Sequence, residues 1–162
     1  MAGHQRAQIN VGILYFRGQG VERDFVQARA WLEKAAANED PYALYALARA
    51  MEETLGPAIG DAVRAADLYR RSAQKGHPLA ALRYGLALMD GLGVKKDLAA
   101  AQRWLLQAEK DGVPEAALAL LRAAVPVLLA GSSDEDQYPA RALRFKTVLE
   151  GYIGLLAGIR ST

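Results

Sequence analysis

The stretches of this 162-residue chain that most resemble reactive sites are two glycine turns, Gly18-Gln19-Gly20 and Gly91-Leu92-Gly93. Closely spaced glycines, with Lys95 and Lys96 beside the second turn, suggest a loop that cradles phosphate on backbone N–H groups. A phosphate loop, however, follows a strand and continues into Gly-Lys-Ser/Thr, and neither turn does. His4 and His77 could bind metal, but a site needs three or four converging ligands. They lie 73 positions apart (77 − 4) and read as helix-start residues. Glu52-Glu53 reads as a helix-end surface and Asp134-Glu135-Asp136 as a solvated loop, because no His or Cys accompanies either cluster. Ser72, Ser132, Ser133 and Ser161 sit in no nucleophile elbow. Trp31, Trp104, Tyr15, Tyr45, Tyr69 and Tyr84 could form a base-stacking platform. The basic groove that accompanies stacking is missing, and all but Tyr69 fall at positions where a repeat would pack its core. The expectation is no enzyme, no metal and no cofactor.

Composition narrows the classes further. Apolar residues make up 52% of the chain, which argues against disorder. Twenty basic side chains face 18 acidic ones, a net charge of +2, so no dedicated nucleic-acid surface is expected. The absence of cysteine removes disulfides, thiolate metal sites and a cysteine nucleophile together. No secretory signal is visible in residues 1–15. The longest apolar run, Ala116 to Ala130, is broken by Arg122 and Pro126, so no membrane insertion is expected. The chain reads as cytoplasmic, or as periplasmic or secreted were a signal peptide already removed.

The glycine turns recur because the chain repeats. Gly12, Gly18, Gly20, Val21, Asp24, Ala28, Trp31 and Ala35 return as Gly85, Gly91, Gly93, Val94, Asp97, Ala101, Trp104 and Ala108. Between them lies a worn copy with Ala48 at the helix glycine and Leu68 at the tryptophan. Pro41, Pro78 and Pro114 start successive units, and proline suits the first turn of a helix. Each unit reads as helix, turn, helix: about 5–16 and 24–37, 41–53 and 61–75, then 78–89 and 97–110. Asp24 is expected to cap the second helix reciprocally with Gln27. The helix glycines should let the partner helix approach, with Trp31 and Trp104 as core anchors over the alanine-rich neighbour. The turn glycines should need positive φ. The domain reading is a single repeat domain over 1–162, with repeats at about 5–40, 41–77 and 78–113. A divergent capping unit follows at 114–162, in which Pro126 should kink or end the first helix.

The run Ala7, Val11-Gly12, Tyr15, Gly18-Gln19-Gly20-Val21, Asp24, Ala28, Trp31-Leu32 and Lys34-Ala35-Ala36 closely resembles the Sel-one-like repeat, a relative of the tetratricopeptide repeat. The third unit matches nearly as well, with Leu88 in place of the tyrosine. The resemblance implies an all-α, right-handed superhelical solenoid of antiparallel helix pairs, generally used as a binding scaffold and often bacterial.

The expected function is a non-enzymatic scaffold or adaptor that binds a protein or peptide on its concave surface, where the first helices of the units line up. The alternative is an immunity protein that neutralises a cognate secreted toxin or effector. An array end offers a route to self-association. Stepping by the repeat spacing, Ile13 leads to Arg49, Leu86 and Arg122, Asn10 to Ala46 and Arg83, and Arg17 to Glu53 and Asp90. Asn10, Ile13, Arg17, Arg49, Glu53, Arg83, Leu86, Asp90 and Arg122 are therefore the expected partner-binding stripe. Arginine with apolar anchors is common hot-spot chemistry.

Overall fold

Four of the described helices begin where a side chain accepts from their free N–H groups. The computed structural model describes residues 2–54 and 59–130. Among them the elements are α1 (Ala2–Arg17), α2 (Phe25–Ala36), α3 (Pro41–Thr54), α4 (Ile59–Gln74), α5 (Pro78–Asp90), α6 (Leu98–Lys110) and α7 (Glu115–Ala130). Asp24 Oδ1 accepts from the N–H groups of Val26 and Gln27 at 2.8 and 3.0 Å. Asp97 does the same for Ala100 at 2.8 Å, and Asp40 for Ala43 at 2.9 Å. Asp24 carries its cap without a return bond from the Gln27 side chain among those described. His77 caps α5 with its ring: Nδ1 accepts from the Ala80 N–H at 3.2 Å, with Pro78 at the first helical position. At the other end Gly91 closes α5 in the left-handed conformation, φ 76°. Gly18, Gly20 and Gly93 also have positive φ, as the turn spacing implied.

The helices pack in chain order. α1 lies on α2, α3 on α4 and α5 on α6, and each second helix also packs on the first helix of the next unit. The result is an all-α solenoid of paired antiparallel helices. Small residues set the spacing: Ala28, Ala35, Ala43, Ala48, Ala80, Ala101, Ala108 and Ala116 are wholly buried. A Cβ on Gly12 would sit 2.7 Å from Leu32 Cγ, and one on Gly85 2.8 Å from Leu105 Cγ. The helix glycines therefore do admit their partner helix, but the side chain they admit is leucine. Trp31 and Trp104 are half-buried at the edge of the pair. The expectation that they are the core anchors is corrected, because the neighbouring leucines take that space.

The central unit solves the same contact differently. Tyr69 occupies the register of Leu32 and Leu105, opposite Ala48 where the other units have glycine. It is 2% exposed, the most buried aromatic ring among the described residues. The one aromatic that fell outside the expected core pattern is thus the one most fully in the core. Ser72 is also fully buried, and its hydroxyl donates to the Pro41 carbonyl at 2.6 Å, tying α4 to the start of α3. Helix α7 continues through Pro126 to Ala130 rather than ending early. The expected cap over residues 134–162, with Asp134-Glu135-Asp136, Ser132, Ser133 and Ser161, lies outside the described residues.

Candidate interaction surface

The stripe runs across the first helices α1, α3, α5 and α7. On α1, Asn10 and Arg17 are exposed, and Arg17 makes no ion pair among the described residues. Ile13 on α1 and Leu86 on α5 are half-buried and pack against the core. They serve the contact between units at least as much as the surface. The other charged members each make an ion pair. Arg49 Nη1 meets Glu52 Oε2 at 3.4 Å and Arg49 Nη2 meets Glu53 Oε1 at 3.1 Å, both within α3. Arg83 reaches from α5 to the same Glu52 oxygen at 3.9 Å. Arg122 on α7 pairs with Asp90 on α5 at 3.1 Å. Five members of the stripe, Arg49, Glu53, Arg83, Asp90 and Arg122, thus belong to ion pairs that cross from α3 to α5 and from α5 to α7, while the members on α1 take no part in them.

Four residues that the spacing did not single out belong to this region. Glu52 holds both arginines and is half-buried rather than a loose helix-end charge. Beneath it the Tyr69 hydroxyl is buried without a hydrogen-bond partner of normal geometry. Burial, and next the Glu52 carboxylate, push its ionisation well above the ordinary range of a phenol. Tyr45 stacks on His77 with ring centres 4.5 Å apart, and Tyr42, 46% exposed, lies 5.8 Å from the same ring. Desolvation lowers the His77 pKa below its usual value, against the opposing charge of Asp40. One signal for this cluster was present in the chain. Glycine became Ala48 and leucine became Tyr69 in the same unit, at positions that face each other.

Among the described residues the other chemistry-like features lie apart from one another. His4 is an exposed residue of α1, and no group of three or more His, Asp or Glu among the described residues could hold a metal ion. An open depression of about 850 Å³ beside the first turn is lined by Tyr15, Val21, Phe25, Val26 and the charges of Glu22, Arg23 and Asp24. Arg23 lies over the Phe25 ring at 4.3 Å, so its cation is engaged. Lys95 and Lys96 are exposed beside their turn, as solvated charges. Among the described residues no helix is long and apolar enough to cross a membrane.

Paired helices repeating at this spacing define a helical-repeat protein. The model of the Sel1 repeat matches residues 5–40, 41–77 and 78–113, and the chain belongs to that family. Its fold is similar to that of a Sel1 repeat protein from Oxalobacter formigenes, with a TM-score of 0.65 and 29% identity over 72% of this chain and 47% of that one. It is also similar to c5321, a protective antigen present in uropathogenic Escherichia coli strains displaying an SLR fold. There the TM-score is 0.70 and the identity 28% over 91% of this chain and 30% of that one. The chain thus spans less than half the length of either structure. None of the curated proteins matches it.

Proposed function

We propose that this chain is a non-enzymatic scaffold that binds a protein or peptide along its first helices, through Asn10, Ile13, Arg17, Arg49, Glu53, Arg83, Leu86, Asp90 and Arg122. The observation that carries the reading is the set of cross-helix ion pairs. Arg49 and Arg83 share Glu52, and Arg122 holds Asp90, so long charged side chains are pre-positioned on a surface that spans three units. Preorganised arginines lose less entropy on binding than free ones. Tyr42 adds an exposed aromatic ring on the same row of helices.

The test is binding to a partner captured from the native organism, measured with wild type and with Arg49→Gln/Arg83→Gln. Glutamine removes both cations without crowding a further carboxylate against Glu52 and Glu53. The double variant should bind at least about tenfold more weakly, a change of about 1.4 kcal/mol. Its melting temperature should fall by only a few degrees, because partly exposed ion pairs of this kind contribute about 0–1 kcal/mol each. Full affinity in the double variant would remove the site from this face.

A further inference from the structure

The α2–α3 connection differs from the other described connections between units at one residue. Glu39 is the one non-glycine residue with positive φ among the described residues, at 58°. Its counterparts, two positions before Pro78 and Pro114, are Gly76 and Gly112, both at φ 87°. A Cβ disfavours this left-handed conformation, and glycine adopts it freely. What the glutamate gains lies on α4. Its carboxylate pairs with the Arg71 guanidinium and is 3.9 Å from Lys75 Nζ. One unit later Gln107 and Asp111 stand where α4 has Arg71 and Lys75. Gln107 Nε2 donates to Asp111 Oδ2 at 2.9 Å, and neither is a cation. At these two junctions the glutamate and its cations are present or absent together. Arg64 on α4 also reaches Glu33 on α2 at 3.1 Å, whereas among the described residues no ion pair joins α4 to α6.

We infer that Glu39, Arg71 and Lys75 form an ionic clasp that offsets a strained turn and makes the junction of units one and two respond to ionic strength. Strain and attraction oppose each other at a single residue. The strain belongs to the backbone and is indifferent to salt. The attraction joins partly exposed charges and is screened, because the Debye length falls from about 30 Å at 0.01 M to about 3 Å at 1 M. Glutamate is therefore the better residue at low ionic strength and glycine at high. Ser72, wholly buried on the same helix, donates to the Pro41 carbonyl at 2.6 Å, a neutral bond that salt does not screen. The connection thus stays seated on α4 while its clasp loosens. The clasp involves the second helices and stands independently of the binding stripe proposed above.

The experiment is a set of thermal melts of the full chain at about 0.01 M and about 1 M NaCl, read as midpoint differences between a variant and its own parent. In wild type, Glu39→Gly should lower the midpoint at low salt and raise it at high salt. In the background Arg71→Gln/Lys75→Gln, Glu39→Gly should raise it at both. Each difference is taken within one background, so the loss of the Arg71–Asp67 pair at 3.5 Å cancels. A transplant supplies the converse. A Cβ on Gly76 would meet nothing within 4 Å, so the next junction has room for a side chain. Gly76→Glu alone should lower the midpoint most at low salt, with Asp111 in the place of Lys75. Adding Gln107→Arg and Asp111→Lys should make that loss smallest at low salt. The same effect of Glu39→Gly at both salt concentrations, or in both backgrounds, would overturn the inference. So would a Glu39→Gly variant more stable than wild type at low salt, because strain would then outweigh the clasp.

Discussion

Between Gly12 and Leu32 there is no room for a methyl group. The nearest approach of a built Cβ is 2.7 Å to Leu32 Cγ, with the Ala28 carbonyl at 3.2 Å. Alanine is favoured over glycine inside a helix by about 1 kcal/mol. Here overpacking, which costs about 1–3 kcal/mol, should win. Gly12→Ala should therefore lower the urea midpoint, and an unchanged or raised midpoint would show that Leu32 shifts freely. The central unit supplies the compensated version, Ala48 with Tyr69. Combining Gly12→Ala with Leu32→Tyr should lose less stability than the sum of the single changes, the signature of coupled neighbours. The same geometry ranks two further substitutions. Leu32 is 1% exposed and Trp31 half-buried, so Leu32→Ala should cost about 2–5 kcal/mol and Trp31→Ala less. A larger loss at Trp31 would restore the tryptophan as the anchor.

At the scale of the helix, α5 is held at its start by a group that titrates. His77 Nδ1 accepts from the Ala80 N–H, and a protonated imidazole cannot accept. Tyr45 and Tyr42 face the ring and Asp40 lies close enough to favour its charged form, yet desolvation dominates and lowers the pKa from the ordinary 6.5. The sign follows from which state takes the proton first. As pH falls through about 6.5 the unfolded chain binds it and the folded chain does not, so stability is lost until the folded histidine also titrates. Thermal melts at about pH 7.5 and about pH 5.5 should show a larger fall for wild type than for His77→Asn, which keeps a capping oxygen without the titration. Equal falls would place the pH dependence elsewhere. Helix ends of this kind were legible in the sequence, since Asp24, Asp97, Pro41 and Pro78 mark them by residue type. What stayed illegible was contact across helices. Glu52 looked like a spare surface charge because nothing local says that Arg83, 31 positions on, reaches it. Trp31 outranked Leu32 as a core residue because size and recurrence are visible in a sequence and the depth of a groove is not. The stripe was found by stepping the repeat, which preserves position on a helix face. Stepping could not show that Ile13 and Leu86 also pack on the core.

The whole molecule is a line of units in which each contacts its neighbours, so its stability should vary along the line. Unit two is covered on both sides, by α2 before it and α5 after it, and it holds Leu44, Leu47, Met51 and Tyr69 at 2% exposure or less. Unit one has the same helical pair but leaves Ala7 and Leu14 of its outer face to solvent. Backbone amides open with free energies from near zero up to the global value, according to how much packing each opening breaks. Amides of α3 and α4 should therefore exchange with deuterium most slowly. Those of α1 should exchange faster, although α1 is at least as long as either, because its opening exposes one interface where an opening of α3 exposes two. Leu14→Ala, which matches the alanine of the inner units, removes exposed apolar surface and should leave α3 protection unchanged. Leu44→Ala should lower the protection of α2, α3 and α4 together. Uniform exchange across the three units would mean that the array opens as one cooperative body, and the uncovered face of α1 would then have no energetic consequence for its neighbours.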